Sequence, residues 1–257
     1  MCIVALSVPR GNSGQILILM NRDEYFHRPA TPVFLWENNP QILAGRDEPS
    51  LGTWLAVSKN KKFGVLTNYR NFFDQSKYSK SRGEIIVNYL RSSLGAKEFI
   101  AELSVSDKEY KGFNLILGDE NEIFFYSKIT KEIIPLIKGT YILSNGSLDT
   151  PWPKVTKLRI LFTQELIAYQ NSPEKNKKLI ETFFSIMQDK EVFPDDQLPS
   201  TGADLETERF LSSIFLKHAL YGTRSTSFIR LFNERKSCTF IERTYTLQGF
   251  FDTEKQF

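Results

Sequence analysis

Residues 1–25 read MCIVALSVPRGNSGQILILMNRDEY, and this stretch decides the fold. Ile3–Val8 and Gln15–Met20 are rich in aliphatic and β-branched residues on both faces rather than on one. A strand that is apolar on both faces is covered on both faces, so these segments predict central strands of a layered sheet. Between them, Gly11 to Gly14 suits a tight hairpin with a two-residue loop at Asn12 and Ser13. That register sets Cys2 opposite Asp23. A slip by one residue sets Arg22 there instead and exchanges which of the two shares a face with the cysteine. The second strand runs out into Asn21, Arg22, Asp23 and Glu24. An Arg-Asp pair there either holds loops together or builds a site, and its place at the end of an apolar strand favours the site.

Outward from this hairpin, TWLAV (53–57), FGVLTN (63–68), GFNLILG (112–118), EIFFYS (122–127) and TYILSN (140–145) read as strands. Near the end of the chain, TSFIRLF (226–232) and FIERTYTL (240–247) read the same way. Helices fall between them. Ser81 and Glu84 have capping-box spacing ahead of IIVNYLRSSL, and Thr150 with Pro151 reads as N-cap and first position of a helix through KVTKLRILFTQELIAY. PEKNKKLIETFFSIM is a further amphipathic helix. Blocks of strands alternating with blocks of helices predict antiparallel sheets with helices outside, an α+β sandwich. No repeat or linker divides residues 1–257, which predicts a single domain.

Composition excludes several classes. With 41% hydrophobic and 13% aromatic residues, the 257-residue chain can build a sizeable core. No apolar run is long enough to span a bilayer and no export signal opens the sequence, so an intracellular, cytoplasmic protein without stable membrane insertion is expected. The 33 basic and 30 acidic residues are spread along the chain, and short runs such as SKNKK read as solvated loops rather than a nucleic-acid face. Two distant cysteines give neither a disulfide framework nor a zinc site, and His27 and His218 lack companions at ligand spacing.

Cys2 is the sharpest chemical feature. Removal of Met1 would leave a thiol and a free α-amine on one residue, and that amine titrates near neutrality, where a general base should. Cys2 also reads as a small buried hydrophobe at a strand start. Asn68 and Tyr69 follow one apolar strand and Asn145 another; such asparagines are oxyanion donors or turn residues. Arg224, among small hydroxyl residues, would bind a carboxylate of substrate or protein. Gly45, Arg46, Asp47 and Trp54 are expected in a loop-to-strand setting that walls a pocket.

Taken in order, MCIVAL, NRDE, AGRD…GTWLAV, LTNYR, SRGE, GFNLILGD, LSNG…PWPKV, LPSTG…ERFLSSIF, YGTRS and ERTY resemble the successive motifs of the transport and Golgi organisation protein 2 family, also called the NRDE family. That family is similar to N-terminal nucleophile hydrolases of the penicillin V acylase and choloylglycine hydrolase branch, which implies a four-layer αββα sandwich. By the resemblance Cys2 matches the nucleophile, Asp23 the aspartate, Asn68 and Asn145 the two asparagines, Arg224 the late arginine and Arg22, loosely, the early one. The match departs at Arg22-Asp23, which are adjacent here and separated in the acylases. The resemblance implies two roles for a bacterial member. One is a cysteine hydrolase of an amide or thioester in an amphipathic small molecule such as an acyl conjugate, needing no cofactor. The other is a non-catalytic carrier of haem or acyl-CoA lipid, with Arg22, Arg46 or Arg224 pairing propionates, Trp54 and Tyr69 covering the ring and Cys2 free to ligate iron. A scaffold without chemistry is the third outcome. The hydrolase is preferred, because a cysteine facing an aspartate explains more residues at once.

Overall fold

The computed structural model describes residues 1–9, 14–37, 40–172, 177–231 and 237–257. Two antiparallel sheets lie face to face. One contains β1 (Cys2–Val8), β2 (Ile16–Tyr25), β10 (Gly139–Leu143), β11 (Tyr221–Leu231), β12 (Cys238–Thr246) and β13 (Gly249–Gln256), in the order β10-β1-β2-β11-β12-β13. The other is a meander of β3 (Ala30–Trp36), β4 (Ile42–Asp47), β5 (Leu55–Ser58), β6 (Phe63–Asn68), β7 (Phe113–Gly118), β8 (Ile123–Ser127) and β9 (Ile133–Pro135). Helices α1 (Gly83–Arg91) and α2 (Ala96–Ser106) cover the meander, and α3 (Pro153–Asn171) and α4 (Lys177–Ile186) cover the first sheet. A short α5 (Leu205–Phe210) precedes β11.

Alternation of side chains explains the layers. Val4, Leu6, Ile18 and Met20 meet Leu43, Val57, Val65 and Phe125 in the core between the sheets. Ile3, Ala5, Leu17 and Leu19, one residue out of phase, meet Leu158, Phe162 and Phe183 under the helices. The expected αββα sandwich of two antiparallel sheets is therefore the fold. Its central strands are apolar on both faces because each face packs on a different layer.

The hairpin register differs from the first expectation: Cys2 pairs with Arg22, and Val4 with Met20. The turn itself lies outside the described residues. The alternative pairing would have placed Asn21 on the inter-sheet face with Val4. In the observed register Asn21 points toward the helices, where its Nδ2 donates to the carbonyls of Met187 and Ile214 at 2.8 and 3.0 Å. Its Oδ1 accepts from Thr226. A fully buried amide needs such partners, and that face supplies them.

Two helix starts also move. Arg82 is the N-cap of α1, and the Glu84 carboxylate accepts from the Tyr110 hydroxyl (2.7 Å) instead of closing a capping box with Ser81. Helix α3 begins at Pro153, after Trp152; Thr150 turns its hydroxyl back to the Ser147 carbonyl (2.8 Å) and closes a tight turn before the helix. Strands β3, β4, β9 and β13 escape sequence reading. Ala30–Trp36 carries a proline, and seven of the eight β13 residues are exposed, so neither shows the apolar pattern of a paired strand. Among the described residues no helix is long and apolar enough to cross a membrane.

Candidate active site

At one end of the interface between the sheets an open cleft of about 110 Å³ is lined by Cys2, Arg22, Glu24, Asp47, Trp54, Asn68 and Arg82, among others. Cys2 and Arg22, directly opposed on β1 and β2, present their side chains to it. Arg22 is only 5% exposed; its guanidinium lies over the Trp54 ring at 4.0 Å and donates through Nη2 to Asp47 Oδ1 at 3.3 Å. Arg28 holds the same carboxylate from the other side, with Nε and Nη2 each at 2.6 Å. Burial would raise the Asp47 carboxyl, but the hydrogen bonds from Arg28 and Ser50 win and hold it below the usual carboxylate range. Gly45 is what lets Trp54 close over β4: a Cβ there would meet the indole at 2.7 Å.

The chain's own start lies in this cleft. The Met1 α-amine donates to the Asp23 carbonyl (2.5 Å) and the Tyr221 hydroxyl (2.6 Å), and the Asp23 N–H donates back to the Met1 carbonyl (2.7 Å). Burial raises the Cys2 thiol above its ordinary pKa, while the terminal ammonium, the Asp23 backbone and Arg22 pull it down.

The Asp23 side chain points to the opposite face, as strand alternation requires. Its Oδ1 accepts from the Thr223 hydroxyl at 2.7 Å, and burial raises its pKa while the N-terminus and Lys154 lower it. Lys154 is 3% exposed in the first turn of α3, a cation at the positive end of a helix. Burial, reinforced by repulsion from Arg70, pushes its ammonium down to about 7. It donates to the Leu211 carbonyl at 2.8 Å. Beneath Cys2 there is thus a polar layer of buried Asp23, Thr223 and Lys154 with the half-buried Tyr221.

The asparagines divide. Asn68 lines the cleft, whereas Asn145 is fully buried and donates its Nδ2 to the Asn68 carbonyl at 2.9 Å. Asn145 holds the end of β6 rather than facing the cleft. Tyr69, one residue past Asn68, lines a different cavity. Arg224 sits in a bulge of β11 and donates to the carbonyls of Tyr25 (2.8 Å) and Arg28 (2.9 Å), clamping the turn after β2. Arg46 and Asp47 belong to strand β4 rather than a loop, so they face opposite ways. Arg46 stacks over Phe34 and pairs with Glu48 outside the cleft, and Asp47 faces in.

Sequence reading passed over Arg28, Arg82, Lys154 and Tyr221. Three of them stand inside motifs already quoted, SRGE, PWPKV and YGTRS; Arg28 carried no signal. Arg82 donates to the Gly112 carbonyl at 2.9 Å, lines the cleft and makes no ion pair within 4.0 Å among the described residues.

Glu242 supplies a pH dependence of stability. It is buried on β12, burial pushes its carboxyl up to about 7 against the pull of Arg22, and its Oε2 has no partner. The folded chain therefore keeps a proton that the unfolded chain releases near 4.5, and stability falls as pH rises from about 4.5 to 7. Glu242→Gln is expected to be neutral at pH 4 and to stabilise the fold by about 2–3 kcal/mol at pH 8, measured by urea unfolding at both pH values.

Comparison with known proteins bears on the fold and the family. Two solved structures of the conjugated bile acid hydrolase from Clostridium perfringens, one of a mutant and one of a variant, share the fold. Their TM-scores are 0.50 and 0.53, each at 9% identity, covering 99% and 98% of this chain and 96% and 92% of the other. The Transport and Golgi organization 2 homolog of Mus musculus is 30% identical over 95% of this chain and 93% of its own. The Homo sapiens homolog is 29% identical over the same shares, and the Drosophila melanogaster protein 24% identical over 96% and 93%. With the family's sequence profile matching residues 1–247, the chain belongs to the Transport and Golgi organisation 2 family.

Proposed function

We propose that, after loss of Met1, the chain is an N-terminal cysteine hydrolase of an amide or thioester bond in a small amphipathic molecule. The observation that supports it best is the position of Cys2, on the wall of an open cleft with Arg22 opposite and the N-terminus beside it. Loss of Met1 moves the terminal amine onto Cys2 itself, next to the sulfur it must deprotonate. It also unblocks the cleft, which Met1 lines.

In the forward step the α-amine takes the thiol proton and Sγ forms a bond to the substrate carbonyl carbon. The oxyanion is met by the Asn68 amide, which has no other hydrogen-bond partner among the described residues; Asn145 holds that strand end in place. Collapse breaks the C–N or C–S bond, and the α-ammonium returns its proton to the leaving atom. Water, deprotonated by the same amine, then cleaves the acyl-cysteine thioester. Arg22 favours the thiolate, and Arg82 meets an anionic end of the substrate. The competing carrier role for haem or lipid draws less support, since Arg46 and Arg224 are spent outside the cleft and Arg22 on Asp47.

Intact-mass analysis of untagged protein, before and after brief native exposure to iodoacetamide, tests the premise. Expected are loss of Met1 and a single adduct at Cys2, none at Cys238, whose buried thiol is pushed up to about 12. A chain that keeps Met1 and resists alkylation would defeat the proposal.

A further inference from the structure

Beside the cleft lies a second, larger cavity, of about 430 Å³ and open to solvent, that takes no part in the chemistry above. The Asn68–Asn145 bridge separates them: Asn68 lines the first, while its neighbour Tyr69 and the neighbour of Asn145, Gly146, line the second. Three loops wall it, the one after β6, the one between β10 and α3, and the one before α5. They are braced to one another by backbone hydrogen bonds, Arg70 N–H to Asn145 O (2.7 Å) and Phe72 N–H to Thr201 O (2.9 Å). Gly146 lets the Trp152 indole close in, since a Cβ there would stand 3.1 Å from it.

The lining is aromatic and hydroxylated, with Tyr69, Phe73 and Trp152 among Ser147, Thr150 and Ser200. Its one charged member is Arg70, 5% exposed and stacked 4.3 Å from the Trp152 centroid. Its Nη1 donates to Glu208 at 3.0 Å, which balances the charge. Its Nε proton has no acceptor. A buried guanidinium N–H left unpaired costs free energy that an incoming oxygen would recover. A cavity built this way suits flat apolar surface with one acceptor; it offers no second cation for a polyanion and no carboxylate for a cation.

We propose that this cavity binds a flat, apolar molecule carrying a single carbonyl or carboxylate oxygen, its ring against Trp152 and Tyr69 and its oxygen on Arg70. The site is separate from Cys2 and does not depend on the hydrolase reading. Calorimetric titration with 2-naphthoate is expected to give a one-to-one isotherm with Kd of about 10⁻⁵–10⁻⁴ M. Ser200→Trp, at an exposed rim position, fills the space and should weaken binding at least about tenfold. Phe73→Ala, which removes a ring that is itself 76% exposed, should weaken it several-fold with the same melting temperature. Cys2→Ala should bind as the parent does, and naphthylmethylamine, a cation of the same shape, should not bind. Absence of saturable binding, indifference to both rim variants, equal binding of the amine, or loss of binding in Cys2→Ala would each overturn the proposal.

Discussion

Cys2→Ala is expected to lower hydrolysis of an N-acyl amide or acyl-thioester panel by about 10³-fold or more, because in the proposed reaction it removes the sulfur that would form the acyl-enzyme. Alanine is the informative replacement. It is small enough to permit loss of Met1 and so keeps the α-amine, whereas serine would leave a hydroxyl beside the same base. Cys2 contributes little volume to the inter-sheet core, so the variant should unfold within about 1–2 kcal/mol of the parent in urea. Turnover by the parent at a rate equal to that of the variant would remove the cysteine from the chemistry. The pH profile offers a second reading: deprotonation of the α-amine should give an ascending limb near neutrality, and N-terminal acetylation should abolish it.

The second large effect lies in stability, at the Arg70–Glu208 pair, whose side chains are 2% and 5% exposed. Glu208→Leu leaves a guanidinium buried without its counter-ion and takes away the acceptor of the Thr201 N–H (3.0 Å). The expected cost is about 3–5 kcal/mol by urea unfolding. Arg70→Met combined with Glu208→Leu should recover the part due to the uncompensated charge, because a buried pair contributes little beyond its apolar replacement, while the Thr201 N–H stays without its acceptor. A single variant within 1 kcal/mol of the parent would show the pair to be hydrated rather than buried. Loss of Arg70 should also let the Lys154 ammonium rise from about 7, since Arg70 is the cation that depresses it after burial itself.

Much of the fold was legible in the chain alone. Runs such as Ile3–Leu6 and Ile16–Met20 are apolar at every position, and only strands sandwiched between two layers tolerate that. FGVLTN and GFNLILG likewise lie within a residue of β6 and β7. Edge strands such as β13 were hidden because their faces meet water and carry no apolar period. Within the site, the sequence named Cys2, Arg22, Asp23, Trp54 and Asn68, all of which line the cleft, although the Asp23 carboxylate accepts from Thr223 on the other face; it also named Asn145, Tyr69, Arg46 and Arg224, whose side chains turn elsewhere.

The difference has one physical cause. A strand fixes that neighbours point apart, but which of two neighbours points inward depends on register, and register depends on partners distant in the chain. The sequence determined the layered sandwich, the polar strand end and the cysteine at position 2. Tertiary structure alone decided that Arg22 rather than Asp23 faces that cysteine and that Asp47 rather than Arg46 faces the cleft. In that register the buried Asn21 reaches the Met187 and Ile214 carbonyls on the helical side, partners that lie far along the chain.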